Sequence, residues 1–196
     1  MKKVHILFLS VGVVFLGIGL ALGGPLFLQY WRDKHLAKAT PFSETVSAAV
    51  VPSDIPMMAG HPVRFQLPAL GIDLTVIDGH YNAVAGTWTL SNDKVQYATV
   101  TPQPNNKAGN TFLYGHNRPG VFKTLNKVKA GDEVILTTDN NLKFTYRFRG
   151  AVETNPNDDS LFHYSGAPIL TVQTCSGLWY QNRQLFTFDL IKVETI

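Results

Sequence analysis

The chemistry available to this chain begins with its one cysteine, Cys175. It closes the run Leu170-Thr171-Val172-Gln173-Thr174-Cys175, in which Ile169, Leu170 and Val172 give strand character. Gly177 follows two residues on, so the backbone can turn away and leave the thiol accessible. Eight residues past the cysteine, Arg183 opens another strand-like run, 184–190. If the two runs pair as neighbouring strands, a thiol and a guanidinium project from the same region of one sheet. Such a pair is a nucleophile with a cation for the negative oxygen of a tetrahedral intermediate. Arginine suits that task better than lysine, because it keeps its charge and its planar fork. Each residue also has a plainer reading. A lone cysteine is commonly a small buried hydrophobe, and an edge-strand arginine is commonly a solvated charge.

A working thiol also needs a proton-transfer partner close by. The chain has six histidines. His5 lies beside a long apolar run, His35 and His61 in tether and linker, His80 at a strand end, and His163 in the loop before the cysteine strand. His116 follows Asn110-Thr111-Phe112-Leu113-Tyr114-Gly115, at the end of a strong strand, where a rigid scaffold can present a catalytic group.

These residues need a scaffold outside the cytoplasm or within it, and the N-terminus bears on which. Residues 6–28 contain no charge, long enough for a helix that crosses a bilayer, which takes about 20 residues. Lys2 and Lys3 precede the run and should stay cytoplasmic, which puts the body outside the cell as a single-pass protein. A cleavable signal peptide is the rival reading, with 21–25 (Ala-Leu-Gly-Gly-Pro) as the region of cleavage, although apolar regions of such peptides usually span only about 7–15 residues. Tyr30 and Trp31 read as interfacial aromatics. The expected organisation is a cytoplasmic stub and anchor over 1–31, a tether and extended linker over 32–61 containing Pro52, Pro56 and Gly60, and a domain over 62–196. Beyond the two leading lysines, fifteen of the seventeen Lys and Arg face fourteen acids, a balance of +1. With no basic patch interleaved with aromatics, a nucleic-acid partner is not expected.

The body reads as strands at 63–68, 72–77, 110–114, 133–137, 143–149, 169–175 and 184–190. Residues 81–100 read as irregular, 121–128 as a short helix, 139–141 as a hairpin turn and 161–164 as one helical turn. Asp158 and Asp159 read as solvated loop acids. About eight strands with short helical insertions and no α/β repeat predict a mostly β fold, a mostly antiparallel, closed or nearly closed barrel.

At this point the residues amount to a resemblance. Thr171-Val172-Gln173-Thr174-Cys175 resembles the sortase signature Thr-Leu-x-Thr-Cys, with Val in place of Leu. Gly115-His116-Asn117 is similar to the sortase histidine stretch, and 63–76, with Leu67-Pro68 and Gly71-Ile72-Asp73, to the family's opening strand pair. The order of histidine, signature and arginine also agrees. The resemblance implies an eight-stranded sortase barrel and a cysteine transpeptidase. Cys175 would be the nucleophile, His116 the general acid and base, and Arg183 the stabiliser of oxyanion and substrate, with Thr174 and Trp179 as substrate-binding candidates; for Trp179 and Tyr180 a packing role is equally open. The implied partners are secreted proteins with a sorting signal of the Leu-Pro-x-Thr-Gly type and an amine from a cell-wall precursor. Pilus-assembling members resemble the chain less, since Ser53-Asp54-Ile55-Pro56 only faintly echoes their lid and no second apolar span follows. No cofactor is implied. Between Trp88 and Asn110 the only acid is Asp93, poor ligation for calcium, which takes six to eight oxygens, so no metal is expected. Two alternatives stay open: a sortase-like hydrolase, and a tethered barrel that only binds.

Overall fold

Alternation along the strands sets the architecture. The computed structural model describes residues 56–82, 84 and 87–196, all within the second of the chain's two units, Ala39–Ile196. The apolar run at 6–28 and most of the tether lie outside the described residues. Among the described residues no helix is long and apolar enough to cross a membrane.

Ten strands form. They are β1 (Pro62–Leu67), β2 (Ile72–Gly79), β3 (Tyr81–Asn82), β4 (Thr87–Trp88), β5 (Val95–Ala98), β6 (Asn110–Tyr114), β7 (Glu133–Thr138), β8 (Leu142–Thr154), β9 (Ile169–Ser176) and β10 (Asn182–Thr195). Eight of them close into a barrel in the order β1-β2-β5-β6-β9-β10-β8-β7, and β3 and β4 form a small separate hairpin. The pairings β2–β5 and β6–β9 are parallel and the others antiparallel. A parallel pair cannot be joined by a tight turn, so long connections must pass over the barrel wall, and these supply the material around the site.

Residues at every second position point inward. Phe65, Leu67, Val134, Leu136, Phe144, Tyr146, Leu170, Val172, Phe186 and Phe188 fill the interior. Full burial of such a side chain stabilises the fold by roughly 1.5–3 kcal/mol relative to exposure. Tyr146 is wholly buried, and its phenol, which hydrogen-bonds with Thr111, is held well above its ordinary pKa by that burial. A second, smaller cluster lies on the outer face: Ala98, Phe112, Tyr114 and Leu185, with Trp88, Leu161 and Phe162 packed over it.

The structure departs from the sequence expectations in four places. The stretch 81–100 is not irregular throughout, because it contains β3, β4 and the barrel strand β5. That strand is only four residues long and buried on both faces, so it carries no alternation to read. The stretch 121–128 is not an α-helix. Val121, Phe122 and Leu125 are buried as their spacing requires, but the bonds Val121 N–H to Arg118 C=O, Leu125 to Phe122, Lys127 to Thr124 and Val128 to Leu125 all span three residues. The result is turns and a single 3-10 helix, Leu125–Lys127, as expected for an apolar run too short to sustain helix nucleation. Residues 56–61 are extended but docked: the Met58 N–H donates to Asn106 Oδ1 at 3.0 Å, Asn140 Nδ2 to the Ala59 carbonyl at 2.9 Å, and His61 Nε2 lies 2.8 Å from Asp78 Oδ1. Finally, Asp158 is not a free loop acid. It accepts from Thr154 Oγ1 at 2.5 Å and from the Ser160 N–H at 3.1 Å, tying the end of β8 to the 3-10 turn Ser160–His163.

Candidate active site

The site grows from the alternation of β9. Leu170 and Val172 point into the barrel, so Thr171, Gln173 and Cys175 belong to the outer face. The antiparallel register sets Arg183 of β10 directly opposite Cys175, Leu185 opposite Gln173 and Thr187 opposite Thr171. Directly opposite residues share a face with Cβ atoms about 4.5–5.5 Å apart, so thiol and guanidinium rise side by side from the sheet. Both are half-buried.

On the other side of β9 lies β6, parallel, with Phe112 opposite Thr171 and Tyr114 opposite Gln173. The strand ends at Tyr114, but the chain stays alongside β9. The Gly115 N–H donates to the Gln173 carbonyl at 3.1 Å, Thr174 Oγ1 donates to the Gly115 carbonyl at 2.9 Å, and Asn117 Nδ2 donates to the Cys175 carbonyl at 2.8 Å. His116 is bracketed by these bonds and therefore held level with Cys175, on the flank opposite Arg183. Its own carbonyl accepts the Phe122 N–H at 3.1 Å. Gly115 permits the approach, since a Cβ there would stand 2.9 Å from the Phe122 ring and 3.1 Å from Val121.

Arg183 is braced from the β9–β10 connection. Nη1 donates to the Tyr180 and Asn182 carbonyls at 3.1 and 3.0 Å. A guanidinium has five donors, and among the described residues Nε and Nη2 make no hydrogen bond, which leaves them for an incoming oxygen. Gly177 has φ +84°, the left-handed turn that its position after the cysteine called for. Trp179 and Tyr180 are mostly exposed on this connection, Trp179 at 81 %. Thr174 is elsewhere than a substrate-lining role would require: it is buried, faces the barrel interior and spends its hydroxyl on the Gly115 carbonyl.

The outer face continues away from the thiol as an aromatic floor and walls. Phe162 meets Phe112 edge-on at 4.6 Å and Trp88 at 5.7 Å, and Trp88 meets Tyr114 at 5.5 Å. Tyr114, its hydroxyl 3.5 Å from Thr89 Oγ1, is raised above the usual phenol pKa by burial. Among the described residues no three or more His, Cys, Asp or Glu side chains are grouped to hold a metal, and Asp93 is engaged by Ser91 and Lys94.

A model of the sortase domain matches residues 65–188, a span that includes His116, Cys175 and Arg183. The chain belongs to the sortase family. Among solved structures, sortase E1 from Streptomyces coelicolor, determined with a tripeptide in its active site, superposes with a TM-score of 0.55 at 20% identity, covering 69% of this chain and 91% of that one. Sortase A from Listeria monocytogenes gives 0.55 at 21% identity over 71% and 92% of the two chains. A sortase from Actinomyces oris gives 0.56 at 15% over 74% and 89%. No curated protein matches the chain significantly by sequence.

Within this sortase, sequence reasoning passed over Asn117, Trp88 and Phe162. Asn117 stood in the quoted histidine stretch without a role, since only the structure reveals where its amide goes. The two aromatics fall in segments with no strand pattern; a large ring between two threonines was the one available signal for Trp88, and Phe162, after Leu161, gave none.

Proposed function

We propose that this sortase is a cysteine transpeptidase that cleaves a sorting signal of the Leu-Pro-x-Thr-Gly type and passes the acyl group to an amine. The observation that supports the reading is that Arg183 of β10 stands directly opposite Cys175 of β9 while the backbone of His116 is bracketed beside β9 on the far flank, level with Cys175.

In the first half-reaction the Cys175 thiol gives its proton to His116, and the sulfur attacks the carbonyl carbon before the scissile bond. The carbonyl oxygen takes up the negative charge and is met by the free donors of Arg183. When the intermediate collapses, the C–N bond breaks, His116 gives its proton to the departing amine, and a thioester to Cys175 remains. In the second half, an incoming amine loses a proton to His116 and attacks the thioester carbonyl; the C–S bond breaks, and the departing sulfur takes that proton from His116, which restores the thiol. The aromatic walls Trp88 and Phe162 offer apolar contact for the signal's leucine and proline. The uncharged run at 6–28 supports an anchored enzyme working on secreted proteins at the outer membrane surface, with a cell-wall precursor as the amine.

The test is product analysis. The full-length chain is incubated with Leu-Pro-x-Thr-Gly peptides, with and without added oligoglycine. A peptide–glycine conjugate formed in the presence of the amine is the expected product. Free acid alone, at a rate indifferent to amine, would make the protein a hydrolase, and no cleavage of any signal would leave a binding barrel.

A further inference from the structure

The ladder between β6 and β9 continues one step beyond the end of β6. In a parallel pair, bonds recur at every second residue. Phe112, Leu113 and Tyr114 pair with Thr171, Val172 and Gln173, and the Gly115 N–H donates to the Gln173 carbonyl at 3.1 Å. The next bond in that series would run from the backbone N–H of residue 117 to the carbonyl of Cys175. It is made instead by the side-chain amide of the same residue, Asn117 Nδ2, at 2.8 Å.

We propose that Asn117 is a positioning residue for His116: its carboxamide substitutes for its own peptide group in the ladder, so the backbone can leave the sheet while His116 stays level with the thiol. The inference rests on the enzyme reading above and adds to it a residue that touches neither substrate nor reacting atom. The physical need is plain. A histidine inside a continuous strand could not be followed at once by the turn through Arg118, whose carbonyl accepts the Val121 and Lys123 N–H groups at 3.1 and 3.2 Å. A histidine on an untethered loop would drift. A primary amide satisfies both demands, because it has the donor geometry of a peptide on a short stem. Aspartate has the same shape but no donor, and would set a negative oxygen against the Cys175 carbonyl.

The test compares the full chain with Asn117→Ala, Asn117→Asp, Asn117→Gln, His116→Ala and the His116→Ala/Asn117→Ala double variant. Two properties are measured: kcat and KM for peptide cleavage, and the pH profile of Cys175 alkylation by iodoacetamide, which reads that residue alone because the chain has one cysteine. Asn117→Ala is expected to lower kcat by about tenfold to a hundredfold with KM nearly unchanged, and to move the alkylation profile toward that of His116→Ala. Asn117→Asp should behave the same way and Asn117→Gln recover part of the loss. In the double variant the asparagine change should add almost nothing, because its effect runs through the histidine.

A parental kcat and alkylation profile in Asn117→Ala would overturn the proposal, and so would a double variant in which the two losses add in full. Identical profiles for the parent and His116→Ala would overturn it too, since His116 would then not sit beside the thiol. A parent that cleaves no peptide would count against the enzyme reading instead, and the alkylation profiles would still decide the role of Asn117.

Discussion

The Thr174 hydroxyl, buried inside the barrel one residue before Cys175, donates to the carbonyl of Gly115, one residue before His116, at 2.9 Å. The signature threonine thus joins the nucleophile's strand to the histidine's loop from beneath, as Asn117 does from beyond. Thr174→Val keeps the shape and removes the donor, leaving the Gly115 carbonyl buried and unpaired, a loss of about 1–3 kcal/mol. Urea unfolding of the variant should report that loss together with a lower kcat. Thr174→Ser should restore most of both. Parental stability in Thr174→Val would mean that the bond is dispensable.

Arg183→Lys should fold normally and lose activity. Lysine can approach one of the two bracing carbonyls but cannot hold both and still present further donors to the oxyanion. Loss of a donor of this kind costs about 10²–10³ in kcat. Steady-state kinetics check it, and turnover close to the parent's would remove Arg183 from the oxyanion role.

Acid should loosen the β8–β9 connection before it unfolds the barrel. Asp158 is held below the ordinary carboxylate range by hydrogen bonds from the Ser160 side chain, Thr154 and the Ser160 backbone, against a smaller opposing effect of burial. Its folded-state pKa is therefore below its unfolded value of about 3.9. The stability it contributes is present above that value and is lost as pH falls through the folded value. The connection also carries Phe162, which touches Trp88. With Trp31 and Trp179 replaced by Phe, the remaining Trp88 emission should change below about pH 4, and Asp158→Asn should flatten that change. An identical acid transition in the two proteins would contradict the assignment.

Phe162→Ala removes edge contacts to both Phe112 and Trp88. Truncating a buried phenylalanine costs about 3–5 kcal/mol; Phe162 is only half-buried, so the stability loss should fall below that range while KM for the peptide rises. A rise in KM without change in kcat would mark the ring as a ground-state binding contact.

Much of this was legible in the residues themselves. The inward set of β8, Phe144, Tyr146 and the partly buried Phe148, declared itself by alternation, and the separation of Cys175 from Arg183 by a glycine-containing turn predicted neighbouring strands. Other features could not be read. β5 is buried on both faces, and its Gln96 is satisfied internally by the Ser91 N–H and Thr89 Oγ1 at 2.7 and 2.9 Å, so it resembles neither an amphipathic strand nor a loop. The parallel pairing of β6 with β9, which sets the backbone of His116 level with that of Cys175, joins residues that are nearly sixty positions apart in the chain (Gln173 lies 59 after Tyr114). Nothing local encodes that partnership. Thr174 was legible as part of a signature, but the side of the strand it faces follows only from counting inward residues on from Val172.

The central claim is that the Cys175 sulfur carries an acyl group, and mass spectrometry of the full chain trapped early in reaction with a Leu-Pro-x-Thr-Gly peptide tests it most directly. The account predicts an adduct with the mass of the acyl fragment ending at threonine, localised to the peptide containing Cys175, discharged by oligoglycine and absent in Cys175→Ala. Peptide cleavage by Cys175→Ala at the parental rate, with no adduct on the parent chain, would contradict it.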